Sequence, residues 1–221
     1  MPQRPSSRRP SRQPYHHGDL RRALIDTALA MVTEEGTWSF RLREVARRAG
    51  VSHAAPYNHF ADKAELLAEV AALGFQALGR AMEMAARRAR SAEQGLLRIG
   101  IVYVRFGVEN PAHYRLMFGA ELADRERYPV LQQAADATFA ALTGALERGQ
   151  LAGEVRRGSV RDQAVTAWSL VHGLTTLLID QRLSFLGLSV AEAERQARVA
   201  GTALFHGLGA AASEAPRDGR R

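Results

Sequence analysis

Residues 37–63, TWSFRLREVARRAGVSHAAPYNHFADK, constrain the fold more than any other stretch of the chain. They predict a helix, a tight turn and a second short helix, ending at the chain's only lysine, Lys63. Ser39 is placed to cap a helix that starts near Phe40 or Arg41. Leu42, Val45, Ala46 and Ala49 recur at i, i+3, i+4 and i+7, so one stripe is apolar. Arg41, Arg43, Glu44, Arg47 and Arg48 take the other faces. Gly50 follows the last periodic residue, where a left-handed cap suits glycine best. Val51 turns back to the core, and Ser52 can cap a second helix over roughly His53 to Asn58. Pro56 falls at its fourth position, where it sacrifices about one backbone hydrogen bond.

The charge distribution says what such a unit can meet. The first sixty residues hold 10 Arg against 5 acids, and the remaining 161 hold 20 basic residues against 18 acids. The excess is concentrated where a polyanion would bind. Every basic side chain but one is Arg, so Lys63 stands out at the start of the next helix. There it can meet a phosphate as a point charge beside a helix N-terminus. Ala54 and Ala55 are small enough to approach a groove floor closely, and their methyls can contact thymine methyls.

This segment resembles the helix-turn-helix of the TetR family of bacterial transcriptional regulators. The resemblance rests on Ala46, Ala49-Gly50-Val51-Ser52, Tyr57, His59-Phe60 and Asp62-Lys63. It continues upstream through Gly18-Asp19-Leu20-Arg21 and the helix to Gly36, covering about residues 15–65. Pro56 departs from the pattern, because relatives usually carry a bulky aliphatic residue there. Ala54-Ala55 departs too, since it offers no hydrogen bonds to bases. The resemblance implies a ligand-responsive regulator, most often a repressor, that binds a palindromic double-stranded DNA operator as a dimer and is released by a small apolar effector. Arg43 is implied to reach a base edge, and Ser52, His53, Ala54 and Ala55 to form the exposed start of the recognition helix. Tyr57, His59 and Lys63 are implied to grip phosphates. Trp38 and Phe60 read as core.

The rest of the chain reads as helices only. Residues 1–14 are expected to be a disordered basic arm, with Arg4, Arg8, Arg9 and Arg12 free to follow DNA or simply to solubilise. Asp19–Glu35 is periodic through Leu20, Leu24, Ala28, Met31 and Val32. Asp62 caps a long helix to about Ala89, whose first half seals the head through Leu66, Leu67, Val70 and Leu73. Ser91–Glu109 follows and is broken by Asn110-Pro111. A short helix carries Tyr114, Leu116, Met117 and Phe118; Gly119–Pro129 reads as a loop with Asp124 and Glu126 solvated. Helices are then expected over Val130–Arg148, Val160–Phe185 and Val190–Leu208. The expected organisation is all-α. A helix-turn-helix domain at 15–62 precedes a larger ligand-binding and dimerisation domain at 63–210, with a disordered tail at 211–221.

The last two helices are apolar on more than one face, through Ala164, Ala167, Leu170, Val171, Leu174 and Leu178, then Ala193, Ala197, Ala200, Leu204, Phe205 and Leu208. Such helices bury more than their own stripe. Either they only complete the monomer core or, as the resemblance implies, they form a homodimer through about residues 160–208. Trp168 and His172-Gly173 resemble the WHG-type C-terminal domain of one TetR subgroup. With Phe106, Met117, Phe118 and Phe139 they are candidates to bind an unknown small-molecule effector. A structural Trp with a hydrogen-bonded core histidine is the equal alternative.

Other chemistry is not expected. Adjacent His16 and His17 point apart in regular structure, and no further His lies at ligand spacing, so no metal is assigned. No phosphate-binding loop, nucleophile elbow or HExxH run occurs, and no cofactor or enzymatic activity is implied. Zero cysteine and the lack of a membrane-length apolar run fit a cytoplasmic protein that contacts no membrane. Two other classes stay open. One is a helical small-molecule binding protein or enzyme whose head has lost DNA specificity. The other is a nonspecific nucleoid-associated DNA-binding protein.

Overall fold

A computed structural model describes residues 17–208 of the chain. The basic arm with its four arginines, His16 and the tail after residue 210 lie outside the described residues. Within them the fold is eight α-helices joined by turns and short 3-10 segments, with no strand.

The head is built by α1 (His17–Glu35), α2 (Leu42–Arg48) and the 3-10 turn Ala55–Asn58. Leu24, Ile25, Ala28, Met31 and Val32 of α1 are buried, against Leu42, Val45 and Ala46 of α2. Ser39 does not cap α2. Its hydroxyl pairs with Thr37, and α2 starts later, at Leu42, where the Glu44 carboxylate accepts the Arg41 backbone N–H. At the other end Gly50 takes φ +72°, and the N–H groups of Gly50 and Val51 close onto the carbonyls of Arg47 and Ala46. That paired closure ends the helix as the sequence predicts.

The second element is not the α-helix expected over His53–Asn58. Ala55 donates to Ser52 O and Tyr57 to Ala54 O, both three residues back, and the helix is a single 3-10 turn. Proline explains this. Pro56 has no N–H to give to Ser52 O, so the α-helical bond cannot form there. Pro56 itself is buried, and so takes a core position in the head.

Helix α3 (Lys63–Arg87) joins the head to the rest. Asp62 caps it by accepting from Glu65 N at 2.9 Å, and the Glu65 carboxylate accepts from the Ala61 N–H. Leu66, Leu67 and Val70 seal the head, and Phe75, Leu78 and Met82 continue into the body in one contiguous core. The body holds α4 (Ala92–Glu109), α5 (Pro111–Phe118), α6 (Pro129–Leu151), α7 (Val160–Ile179) and α8 (Ala193–Leu208). Helix α6 lies along α3 and α4, α8 packs on α4 and α7, and α5 sits between α3 and α1.

Two connections differ from expectation. Residues 119–128 are not a simple solvated loop. Two 3-10 turns, Ala120–Leu122 and Arg125–Arg127, hold Leu122 fully inside and turn Arg125 half-inward, while Asp124 and Glu126 remain exposed. Helix α7 ends at Ile179, six residues before Phe185. Gln181 adopts φ +55°, and Gln181 and Arg182 close onto the carbonyls of Leu178 and Leu177. This is a glycine-type stop made without glycine. Helix α8 starts at Ala193, after the 3-10 turn Val190–Glu192.

Candidate functional site

The turn after α2 carries the side chains marked by the sequence. Arg43, Ser52, His53 and Ala54 are exposed, Ala55 and His59 are half-buried, and Tyr57 is 60% exposed. A tyrosine so open has no packing reason to be there. Phe60 is buried and Trp38 half-buried, as the sequence indicates. Lys63 is half-buried and donates to the Trp38 carbonyl at 3.0 Å. That bond uses one of its three ammonium donors and holds the side chain against the entry to α2.

The other head arginines divide in two. Arg48 pairs with Glu34 and Glu35 of α1, Arg22 with Asp26, and Arg21 with Glu69 of α3. Arg21 also lies over the Phe60 ring, 5.2 Å from its centroid. The Arg48 and Arg21 pairs join α1 to α2 and to α3, while the Arg22 pair lies within α1. Arg41, Arg43 and Arg47 are exposed, and none enters an ion pair among the described residues. Arg41 and Arg47 are additions to the marked set, and their signal was already in the sequence as basic positions off the apolar stripe.

In the body, α4, α5 and α7 bring Tyr103, Tyr114, Trp168 and His172 into one hydrogen-bonded chain. Trp168 Nε1 donates to Tyr103 Oη at 3.0 Å. Tyr103 Oη lies 3.2 Å from Tyr114 Oη, and Tyr114 Oη lies 2.7 Å from His172 Nδ1. Tyr103 Oη also lies 3.0 Å from His172 Nδ1. With Trp168 donating to Tyr103, the tyrosine hydroxyls supply the proton that His172 Nδ1 accepts. His172 Nδ1 is then an acceptor and the ring is neutral. Burial lowers the His172 pKa in the same sense. Burial also pushes the Tyr114 hydroxyl up to about 12 and Tyr103 higher still, so both remain protonated donors. The sequence puts Tyr114 in a short helix, but the joint use of Tyr103 and Tyr114 cannot be read there. They are 11 residues apart and lie on different helices.

Phe118 stands at the centre of this cluster, its ring centroid 4.7 Å from His172, 4.9 Å from Tyr114 and 5.2 Å from Phe75. Beside it opens a cavity of about 270 Å³, lined by Phe75, Tyr103, Phe118, Phe139 and Trp168, with Arg125 and Arg161 on its wall. Of the expected ligand residues, Phe118, Phe139 and Trp168 line it. His172 lies across the Trp168–Phe118 pair and faces a more open cleft beside Ser169 and Gln132. Phe106 and Met117 line neither space. Phe106 packs beside His113, and Met117 is buried against α3 at Gly74. The sequence grouped them by apolar character, but α5 turns Met117 away from the cavity while turning Phe118 toward it.

Helix α5 links the two regions. His113 is 9% exposed, and its Nε2 bonds the Val70 carbonyl of α3 at 2.7 Å. Burial lowers its pKa, and the Val70 bond opposes this less strongly. The approach is possible only because residue 74 is glycine. A Cβ there would fall 2.5 Å from Met117 Sδ and 2.7 Å from His113 Nε2. Helix α5 therefore touches the cavity through Phe118 and touches α3, the helix that seals the head, through His113 and Met117.

Comparison with known proteins places this arrangement. The family model for bacterial regulatory proteins of the tetR family matches residues 24–70, and a tetracyclin repressor-like C-terminal domain matches residues 96–200. The chain belongs to the TetR family. A solved structure of a protein of unknown function from Rhodococcus sp. RHA1 is 31% identical and superposes with a TM-score of 0.77 over 90% of this chain and 100% of that one. The HTH-type transcriptional regulator AcrR of Shigella flexneri is 38% identical over 52 residues, 24% of each protein. The HTH-type transcriptional regulator BetI of Rhizobium meliloti (strain 1021) is 43% identical over 47 residues, 21% of this chain and 23% of that one. The chain thus spans about a quarter of the length of these curated TetR-type relatives. No described helix is long and apolar enough to cross a membrane.

Proposed function

We propose that this TetR-family protein is a ligand-responsive transcriptional regulator. It acts in the cytoplasm as a homodimer, represses by occupying a palindromic double-stranded DNA operator, and is released when a small effector enters the body. The observation that carries this reading is the continuous contact between cavity and head. Tyr114 and Phe118 of α5 face the aromatic cluster, while His113 and Met117 of the same helix grip α3 at Val70 and Gly74.

Each head residue has a role in this reading. Arg43 reaches a base edge, where an arginine can hold guanine through two bonds. Ser52, His53, Ala54 and Ala55 lead the recognition turn into the major groove. Tyr57, His59 and Lys63 hold phosphates, which orient the head and carry little sequence information. Phe118, Phe139, Trp168 and His172 surround the effector; Phe106 and Met117 support the wall from behind. The effector releases DNA only by as much as it favours the conformation that does not fit the operator.

The dimer has support of its own. Val165 and Leu177 of α7 and Val199 of α8 are exposed, and Phe185 and Leu186 between them are 81% and 59% exposed. Leu177 and Val199 on the two helices, and Phe185 and Leu186 on the turn that joins them, are apolar side chains open to water of the kind a second subunit covers. The test is selection of random duplex DNA by the purified protein at physiological salt, where nonspecific binding is weak. A two-fold symmetric motif is the expected result. Recovery of no motif by a folded dimer would remove the operator-reading function.

A further inference from the structure

The cavity is walled by aromatic rings, yet a cation stands in the wall. Arg125 enters from the turn between α5 and α6, with its guanidinium carbon 5.0 Å from the Phe75 centroid and 5.9 Å from the Phe118 centroid. It is half-buried and lines both the cavity and the open cleft beside it. One long hydrogen bond, 3.3 Å to the Met117 carbonyl, engages its fork of five donors. No ion pair among the described residues includes it. The one acid on the cavity wall, Asp136, accepts from Gln132 at 2.7 Å. Arg161 of α7 adds a second cation to the wall.

A guanidinium taken half out of water needs acceptors for its N–H groups. Ring faces offset part of its lost hydration but are weak acceptors. Asp136 on the same wall attracts Arg125 without pairing with it, so the donors that Met117 does not use have no hydrogen-bonded acceptor among the described residues. An aromatic box with one acid would otherwise suit a cationic guest. Here Arg125 already occupies the faces of Phe75 and Phe118, and a second cation would meet two arginines against one aspartate. Size narrows the guest further. An engineered cavity of roughly 150 Å³ admits benzene, so about 270 Å³ admits one ring, or a chain of like bulk, with a short polar end.

We propose that the cavity binds an amphipathic organic acid, whose carboxylate is held by the Arg125 fork while its apolar body packs among Phe118, Phe139 and Trp168. This rests on the effector-cavity reading above and names the effector's chemical class. The position also gives the carboxylate mechanical purchase. Arg125 bonds the last turn of α5 at Met117, so an anion that draws the guanidinium inward acts on the helix that touches α3.

The test is isothermal titration of the full chain with 3-phenylpropanoate, its amide and the matching phenylpropyl-trimethylammonium ion. The acid should bind at least about tenfold tighter than the amide, as a charge-assisted pair requires. Arg125→Met should abolish that preference, so that acid and amide bind alike. Arg125→Lys should keep a smaller preference, since a point charge lacks the fork. Equal binding of acid and amide, tightest binding of the ammonium ion, or a preference that survives Arg125→Met would overturn the assignment. So would the absence of binding by any of the three up to about 1 mM. Release of a selected DNA duplex, followed in parallel, separates this proposal from the functional one. Arg125-dependent acid binding without DNA release would support the ligand class and sink the regulatory reading. DNA release by the neutral amide without dependence on Arg125 would do the reverse.

Discussion

Two histidines set how single residues answer to acid. His113 and His172 both have pKa values lowered by burial, His172 among the hydroxyls of Tyr103 and Tyr114 and His113 against Val70. In the unfolded chain each titrates near about 6.5. Between the two values the unfolded state holds more protons, so unfolding free energy rises with pH. Their contribution is fully present above about pH 6.5 and is lost as pH falls through the lowered folded values. The melting midpoint should therefore drop on acidification from neutral pH, and His113→Gln should show a shallower drop than the parent. Equal slopes in the two proteins would mean that His113 is not protonated on unfolding. At the head, Lys63→Ala should weaken binding to all duplexes alike and flatten the dependence on log salt by roughly one ion. The Trp38 contact of Lys63 adds a second effect, a small loss of head stability, which a melting curve separates from the salt slope. Arg43→Ala should instead relax preference at one base position by about 1–3 kcal/mol, seen by repeating the DNA selection. An unchanged motif would remove Arg43 from the base-reading set.

At the scale of elements, the contact between α3 and α5 is the one most open to attack. Gly74→Ala places a methyl against Met117 Sδ and His113 Nε2, so α5 must move or tilt. Overpacking of this kind costs about 1–3 kcal/mol. The variant should melt lower and bind effector and DNA with weakened mutual dependence, measured by titrating DNA at fixed effector. Full coupling in a destabilised Gly74→Ala protein would show that the signal does not pass through this contact. The elements also show what the chain discloses. Caps at Asp62 and Ser91 and the Gly50 stop follow rules local to a few residues, and α3, α4 and the end of α2 fall where those rules put them. The end of α7 does not, because Gln181 takes a left-handed conformation with no glycine to announce it. The 3-10 turn at Ala55–Asn58 was half visible: Pro56 signalled a defect, and only the three-dimensional packing shows that the ring also fills the head core. Arg125 was hidden for another reason. In a run of alternating charges, nothing in the local pattern distinguishes the arginine that turns inward; Phe75, 50 positions away, supplies the ring that holds it.

For the whole molecule, the deciding property is what covers α7 and α8. Ser169, Gly173 and Thr176 are small residues on the stretch of α7 that carries Val165 and Leu177, and nothing lies within 4 Å of where a Cβ on Gly173 would stand. Small residues on an open helix face allow another backbone to approach closely, and a two-fold axis would bring the same face of a second subunit against it. Val199 projects from α8 57% exposed, so changing it leaves the monomer core untouched. Val199→Glu would set two buried, like-charged carboxylates across the axis. The protein should then sediment as a folded monomer. A single head binds one half-site, and the second half-site, roughly 34–36 Å along the duplex, no longer contributes. Affinity for the selected palindrome should fall at least about 100-fold toward the nonspecific level, while affinity for random duplex changes little. Sedimentation and fluorescence anisotropy on one preparation read both quantities. A Val199→Glu dimer with unaltered affinity would move the interface elsewhere on the molecule. A monomer that still holds the palindrome tightly would mean that one head suffices, and that pairing is not how this chain gains its specificity.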